Sequence, residues 1–297
     1  MKLKNNFHVF AMITILCWSL GYVFTRLALR YFSPLSLGFL RYFIASVSII
    51  IFALIIKIKM PDKNDIKWFI LSGFFGFFIY IITFNIGSVN VSASTGSLII
   101  SATPVITAIM AKILFREKLR IIQYFAIIIQ FLGVCIILLY NGILSINIGL
   151  IWLILASISL SIYNLLQRKL TKTYSARQVS IFSIWFGAIL LLIFLPNSVT
   201  EIVDVPPVQI VYLLILGIFA GAVAYISWAY ALSKAENVSS VTNYMFLTPL
   251  LTALLGILLA NEIPDIETII GGAIIITGMF IFNFYDKIFI RKNKNYI

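Results

Sequence analysis

The chain has 297 residues, of which 62% are hydrophobic and only 11% charged, and its formal net charge is +12. A soluble globular domain carries about 25% charged residues, so this chain lacks the polar surface to face water and reads as a polytopic protein embedded in the lipid bilayer. A basic excess can also signal nucleic acid; in a membrane protein it marks cytoplasmic loops, and its positions decide between the two.

A bilayer-spanning helix needs about 20 apolar residues. Ten such runs follow one another, over 8–29, 34–56, 67–86, 91–114, 121–140, 148–168, 178–195, 208–231, 238–260 and 266–286. The runs lack strand alternation, so the expected fold is all-α and integral to the membrane. The first run passes Leu20 without an A-x-A site and reads as a retained helix. With the N-terminus placed inside, 19 of the 22 basic residues fall in inner segments, Arg26 and Arg30 fall outside, and Arg41 lies within the second run. That asymmetry predicts both termini in the cytoplasm of a cell (inner) membrane protein. It also removes the nucleic-acid reading.

TPVITAIMAKILFRE, residues 103–117, recurs without a gap as TPLLTALLGILLANE, residues 248–262. The first spans of the two halves align at an offset of 142, which pairs Ser19 with Ser161, Arg26 with Arg168 and Ser33 with Ser175. Five helices per half is an odd number, so the second copy enters the membrane inverted. The prediction is two inverted-topology five-helix repeats, 8–140 and 148–286. Such repeats recur in secondary transporters, with substrate held near the midplane between them.

At this point the chain resembles the drug/metabolite transporter superfamily, EamA type. The resemblance rests on Trp18-Ser19 with Gly21, on Arg41 after Pro34, and on Pro104 with Glu117. In the second half it rests on Trp228-Ala229-Tyr230-Ala231-Leu232, Pro249 and Glu262. The usual Trp-Gly of the first span is Trp18-Ser19 here. The resemblance implies export or exchange of small metabolites, amino acids being a leading class.

The residues themselves argue against catalysis. All ten acidic residues fall at span ends or in loops, there is one histidine, His8, and Cys17 and Cys135 are scattered. This leaves no evident general base, metal cluster or cofactor site, and no intramembrane carboxylate relay for protons. Facilitated diffusion, or coupling through substrate charge and membrane potential, stands beside proton antiport.

Candidate cavity residues follow in chain order. Span one offers Ser19 and Tyr22. Span three offers Tyr80 and Phe84; Tyr80 maps onto Tyr225 of span eight at an offset of 145, and Trp228 lies one turn further on. Span four carries Ser94, Ser97 and Ser101 on one helical face, mirrored in span nine by Ser239 and Thr242, with Asn243 beside them. Span six offers Tyr163 and Asn164. Each polar stripe leads to a proline, Pro104 or Pro249, which frees the carbonyl of Ile100 or Met245, or only bends the helix. For each hydroxyl, helix-packing glue is the competing reading. Arg41 lies about 10 Å from the outer end at 1.5 Å per residue. It either snorkels outward or guards the outer mouth for a substrate carboxylate. Together these residues describe a largely aromatic cavity for a small-molecule substrate that is neutral, zwitterionic or lightly amphipathic. Hydrophobic or aromatic amino acids are the first expectation. Import or exchange of a sugar or vitamin, and a non-transporting receptor or scaffold, are the alternatives. The oligomeric state is not fixed by these patterns, and a monomer is compatible with them.

Overall fold

The computed structural model describes residues 7–55, 57–115, 120–139, 147–234, 241 and 243–285. Every regular element in it is helical. In chain order these are α1 (Phe7–Ala28), α2 (Pro34–Ile55), α3 (Lys63–Ser88), α4 (Ala93–Ser101) and α5 (Thr103–Phe115). There follow α6 (Ile121–Leu139), α7 (Ile148–Leu170), α8 (Ala176–Val203), α9 (Pro207–Leu232), α10 (Leu247–Ala260) and α11 (Ile266–Tyr285). Taking α4 and α5 as one segment, seven helices are long and apolar enough to cross a membrane, and Ile121–Ile137, Leu247–Ala260 and Ile266–Phe282 are shorter apolar helices.

Local sequence explains where the helices start. Ser92, Asn147 and Ser175 precede α4, α7 and α8 and accept from the backbone N–H groups of Thr95, Gly149 and Gln178. Each satisfies one of the donors a helix start leaves open. The Thr-Pro pair breaks the fourth apolar run: Ala102 interrupts it, and Thr103 Oγ1 donates to the Ile100 carbonyl at 2.6 Å. The carbonyl that Pro104 frees is thus taken up locally. In the second half a 3-10 turn, Asn243–Phe246, precedes α10, whose third residue is Pro249.

Three helices carry π-helical turns where the sequence predicts continuous α-helix: Phe74–Ile79 within α3, Ile215–Val223 within α9 and Gly256–Ala260 at the end of α10. The first two run up to the turns that hold Tyr80 and Tyr225. Such wide turns are rare and concentrate at functional sites.

The bundle packs in pairs. α1 lies against α9 and α10, α7 against α3, α4 and α5, α2 against α9, and α3 against α8. α6 pairs with α11. Small residues set the closest crossings. A Cβ built on Gly133 would come 2.7 Å from the Gly271 carbonyl oxygen, and one on Gly271 the same distance from that of Gly133. Gly87 and Gly149 face each other in the same way across α3 and α7. Backbones this close exclude any side chain, the usual solution between membrane helices.

We expect Gly271→Ala to lower the thermal midpoint of detergent-purified protein, since the added methyl would stand 2.6 Å from Ile137 Cγ1 and 2.7 Å from the Gly133 carbonyl oxygen, and the backbone cannot step aside; about 1–3 kcal/mol is the usual cost of overpacking. Gly256→Ala is the control. Its nearest neighbour would be 3.9 Å away, and the midpoint should hold or rise. Equal midpoints for the two variants would rule out a tight α6–α11 crossing.

Candidate functional site: an aromatic centre around a buried arginine

The middle of the bundle is filled with rings. Trp18 packs edge-on to Tyr225 at 5.6 Å between centroids and against Trp228 at 5.3 Å. Phe77 touches Tyr42, Tyr163 and Tyr225 at 5.2–5.3 Å. Tyr22 meets Phe84 at 5.4 Å, and Phe84 stacks on Tyr80 at 5.6 Å. α1, α2, α3, α7 and α9 all contribute. Tyr42, Tyr163 and Tyr80 are buried, whereas Trp18, Tyr22, Tyr225 and Trp228 stay half-buried within the bundle. Ring pairs at these separations and angles hold one another in place.

Arg41 sits in this cluster and does not snorkel. It is 6% exposed, and its guanidinium acts electrostatically on Tyr22, Tyr42, Tyr80 and Tyr225. Its Nη1 lies 3.5 Å from Thr25 Oγ1, and its Nε has no partner among the described residues. Position along the sequence gave its depth but not the side of α2 it occupies. α2 turns that side inward because Gly217 and Gly221 on α9 leave room for Ile44 and Ala45. Tyr42, Phe77 and Thr25, absent from the sequence-based site, belong to the same centre. A tyrosine adjacent to an intramembrane arginine was the available signal for Tyr42.

The serines resolve differently. Ser19 and Ser161 are fully buried cross-braces: Ser19 Oγ donates to the Thr248 carbonyl at 3.4 Å, and Ser161 Oγ to the Thr103 carbonyl at 3.2 Å. Ser97 and Ser101 donate to the carbonyls of Ser94 and Leu98 on their own helix, and Ser94 pairs with Ser92. All three are buried. Their hydroxyls are satisfied within α4 and its cap, the local bonding that competes for such groups in helices. Asn164 Nδ2 approaches Thr107 Oγ1 at 3.4 Å. The Tyr163 hydroxyl accepts from Gln167 Nε2 at 2.6 Å. Ser239 and Thr242 lie outside the described residues, as does the side chain of Asn243.

One end of the bundle is tied shut. Arg26 Nε donates to Glu262 Oε1 at 3.0 Å, and its Nη1 donates to the carbonyls of Ser88, at 3.1 Å, and Val89. The other carboxylate oxygen, Glu262 Oε2, accepts from Ala93 N at 2.9 Å, at the first residue of α4. The anion therefore completes a helix start and pairs with a cation at once. Four segments, α1, α3, α4 and the end of α10, meet at this one network. Glu262, just beyond the end of α10, thus has Arg26 and backbone as its partners. Beside it lies a polar cavity of about 200 Å³ lined by Asn90, Ser92, Thr95, Asn147, Asp265 and Thr268 among others. The opposite end carries ring-to-charge ties: Arg177 bonds Tyr230 at 3.0 Å, and Lys169 lies 3.0 Å from the centre of the Trp68 ring.

Comparison with known proteins accords with this architecture. An uncharacterized transporter of Bacillus subtilis, YdfC, is 30% identical over 263 residues, covering 88% of this chain and 86% of that one. A probable terminal-alkyne amino-acid exporter of Streptantibioticus cattleyicolor is 25% identical, covering 91% of each. A crystal structure at 16% identity superimposes with a TM-score of 0.64, covering 94% of this chain and 96% of that one, which speaks to the fold alone. The model of the EamA-like transporter family matches residues 6–139 and again 147–284. The chain therefore belongs to the EamA-like transporter family and is a multi-pass membrane transporter.

Proposed function

We propose that the chain is a secondary transporter of the cell membrane that exports small metabolites, hydrophobic or aromatic amino acids first, by alternating access around the aromatic centre. The observation that carries this is the exchange of packing partners between the halves. The sequence offsets convert α1 into α7, α2 into α8, α3 into α9, α4–α5 into α10 and its approach, and α6 into α11. Under that exchange the α1–α9 contact becomes α7–α3, α2–α9 becomes α8–α3, and α1–α10 becomes α7–α5. The Ser19–Thr248 and Ser161–Thr103 bonds exchange likewise. A bundle with this pseudo-twofold relation has two arrangements of comparable energy, open at one face or the other.

The Arg26–Glu262 network is then the closure of the outer face. By sequence offset, Arg168 corresponds to Arg26 and Glu117 to Glu262; Glu117 lies outside the described residues. The exporter named among the relatives supports amino-acid-like cargo.

Cysteine tags test the frame. Tags at Asp62 and Lys172 should label only from the cytoplasm, and tags at Asp204 and Asp265 only from outside. Labelling of intact cells at Asp62 or Lys172 would overturn the orientation and the inverted pair with it. Counterflow of radiolabelled L-phenylalanine in proteoliposomes tests the transport itself, and the absence of flux across a panel of amino acids and other neutral metabolites would sink it.

A further inference from the structure

We propose that Arg41 is the recognition point for the carboxylate of the transported molecule, and that the site selects acids over isosteric amides and amines. This rests on the transport reading above and names its substrate class. Arg41 is 6% exposed, and the ion pair of the described residues is Arg26–Glu262, at the bundle's end. All ten acidic residues fall at span ends or in loops. A guanidinium offers five N–H donors in a fork that matches a carboxylate. Here the structure satisfies little of it. Thr25 Oγ1 is at the 3.5 Å limit, Nε has no partner among the described residues, and the Tyr42 ring lies 5.5 Å from the guanidinium carbon.

A second donor waits beside it. Tyr42 is fully buried, and its hydroxyl faces Tyr225 without reaching a bond of normal geometry. Two buried donors with no anionic acceptor is a costly arrangement that an arriving carboxylate relieves. An intramembrane cation in this position marks a functional site by default. The guanidinium lies beside Gly21 of α1, where a Cβ would stand 3.7 Å from Nη2, an ordinary contact.

Tyr22, Phe84, Tyr80, Trp18 and Tyr225 contribute rings to the same centre, a composition that suits an apolar or aromatic body. An ammonium group finds only ring faces and hydroxyls there, and it meets a like charge in Arg41. The carboxylate therefore dominates recognition, and a deaminated acid binds at least as well as its amino acid.

The test uses the full chain in detergent and three matched probes: 3-phenylpropanoate, 3-phenylpropanamide and 3-phenylpropylamine. Affinity is read by calorimetry and folding by a thermal melt, for wild type, Arg41→Gln and Arg41→Lys. Wild type should bind the acid at least about tenfold more tightly than the amide or amine. Arg41→Gln should lose that preference while melting no lower than wild type, since an unpaired buried cation has been removed. Arg41→Lys should keep part of the preference, as a point charge without the fork. Equal binding of acid and amide by wild type overturns the proposal. So does an unchanged preference in Arg41→Gln, a lower melt for that variant without ligand, or folded wild type that binds none of the probes. Liposome flux separates the two readings. If the amide is carried as well as the acid, the carboxylate site falls and transport stands. If the acid binds but nothing crosses, transport falls and the site stands.

Discussion

Replacing Glu262 by alanine is expected to raise the external labelling rate of a cysteine at Ser94 by about tenfold, an equilibrium shift of 1.4 kcal/mol. Ser94 is 5% exposed and lies next to the α4 start that Glu262 caps. The carboxylate makes two charge-assisted bonds, one to Arg26 and one to Ala93 N. Bonds of this class contribute about 1.5–3 kcal/mol each. Arg26 is 31% exposed and Glu262 16%, so water screens the pair and the total is discounted to about 1–2 kcal/mol. That is comparable with the shift that moves a two-state equilibrium about tenfold. Arg26→Gln should act in the same direction. Reversing the pair, Arg26→Glu with Glu262→Arg, should restore closure only in part. The swap puts a cation at a helix start and removes the donors to Ser88 and Val89. The measurement is maleimide labelling of the Ser94→Cys protein in intact cells. A rate that Glu262→Ala leaves unchanged would show that the network anchors a helix end without gating it.

The second large effect concerns Tyr80 and Tyr225. Each alanine variant should weaken binding of an aromatic probe by about tenfold or more, 1.4 kcal/mol per factor of ten. The two tyrosines reach the centre from offset-related helices and lie within electrostatic range of each other and of Arg41. Their consequences for folding should differ. Tyr80 is 9% exposed and stacked on Phe84, so truncation opens a cavity, for which aromatic-to-alanine changes cost about 3–5 kcal/mol. Tyr225 is half-buried and should melt closer to wild type. Phenylalanine at either position keeps the ring and should do less harm to binding and to the melt. Alanine and phenylalanine variants that bind alike would mean that the ring faces carry no part of recognition.

Much of this was legible before any coordinates. The offset of 145 paired Tyr80 with Tyr225, and the structure brings both tyrosines into one aromatic cluster. The position of Glu262 at a span end was also readable. Three features were not legible, each for a physical reason. Helical spacing puts Ser94, Ser97 and Ser101 on one face but says nothing about what that face meets. In the structure Ser97 and Ser101 donate to carbonyls of their own helix, and Ser94 pairs with the Ser92 hydroxyl. The depth of Arg41 followed from 1.5 Å per residue, but inward and outward rotamers share that depth. The packing of Ile44 and Ala45 of α2 against Gly217 and Gly221 of α9 settles it. The π turns before Tyr80 and Tyr225 leave no mark in apolar periodicity, because one extra residue per turn in an all-apolar run changes nothing that hydropathy reads. The second polar stripe, Ser239 and Thr242, lies outside the described residues.

The most direct measurement is exchange across a membrane. Protein reconstituted in liposomes loaded with 3-phenylpropanoate should take up the labelled acid from outside until the labels equilibrate, without any imposed ion gradient. Tyr80→Phe with Tyr225→Phe should retain most of that flux. Tyr80→Ala with Tyr225→Ala, matched for folded protein by its melt, should bring the flux at low probe concentration down by about a hundredfold if the two sites act independently. Wild-type flux through the double alanine variant would contradict a central aromatic site, whatever the protein carries.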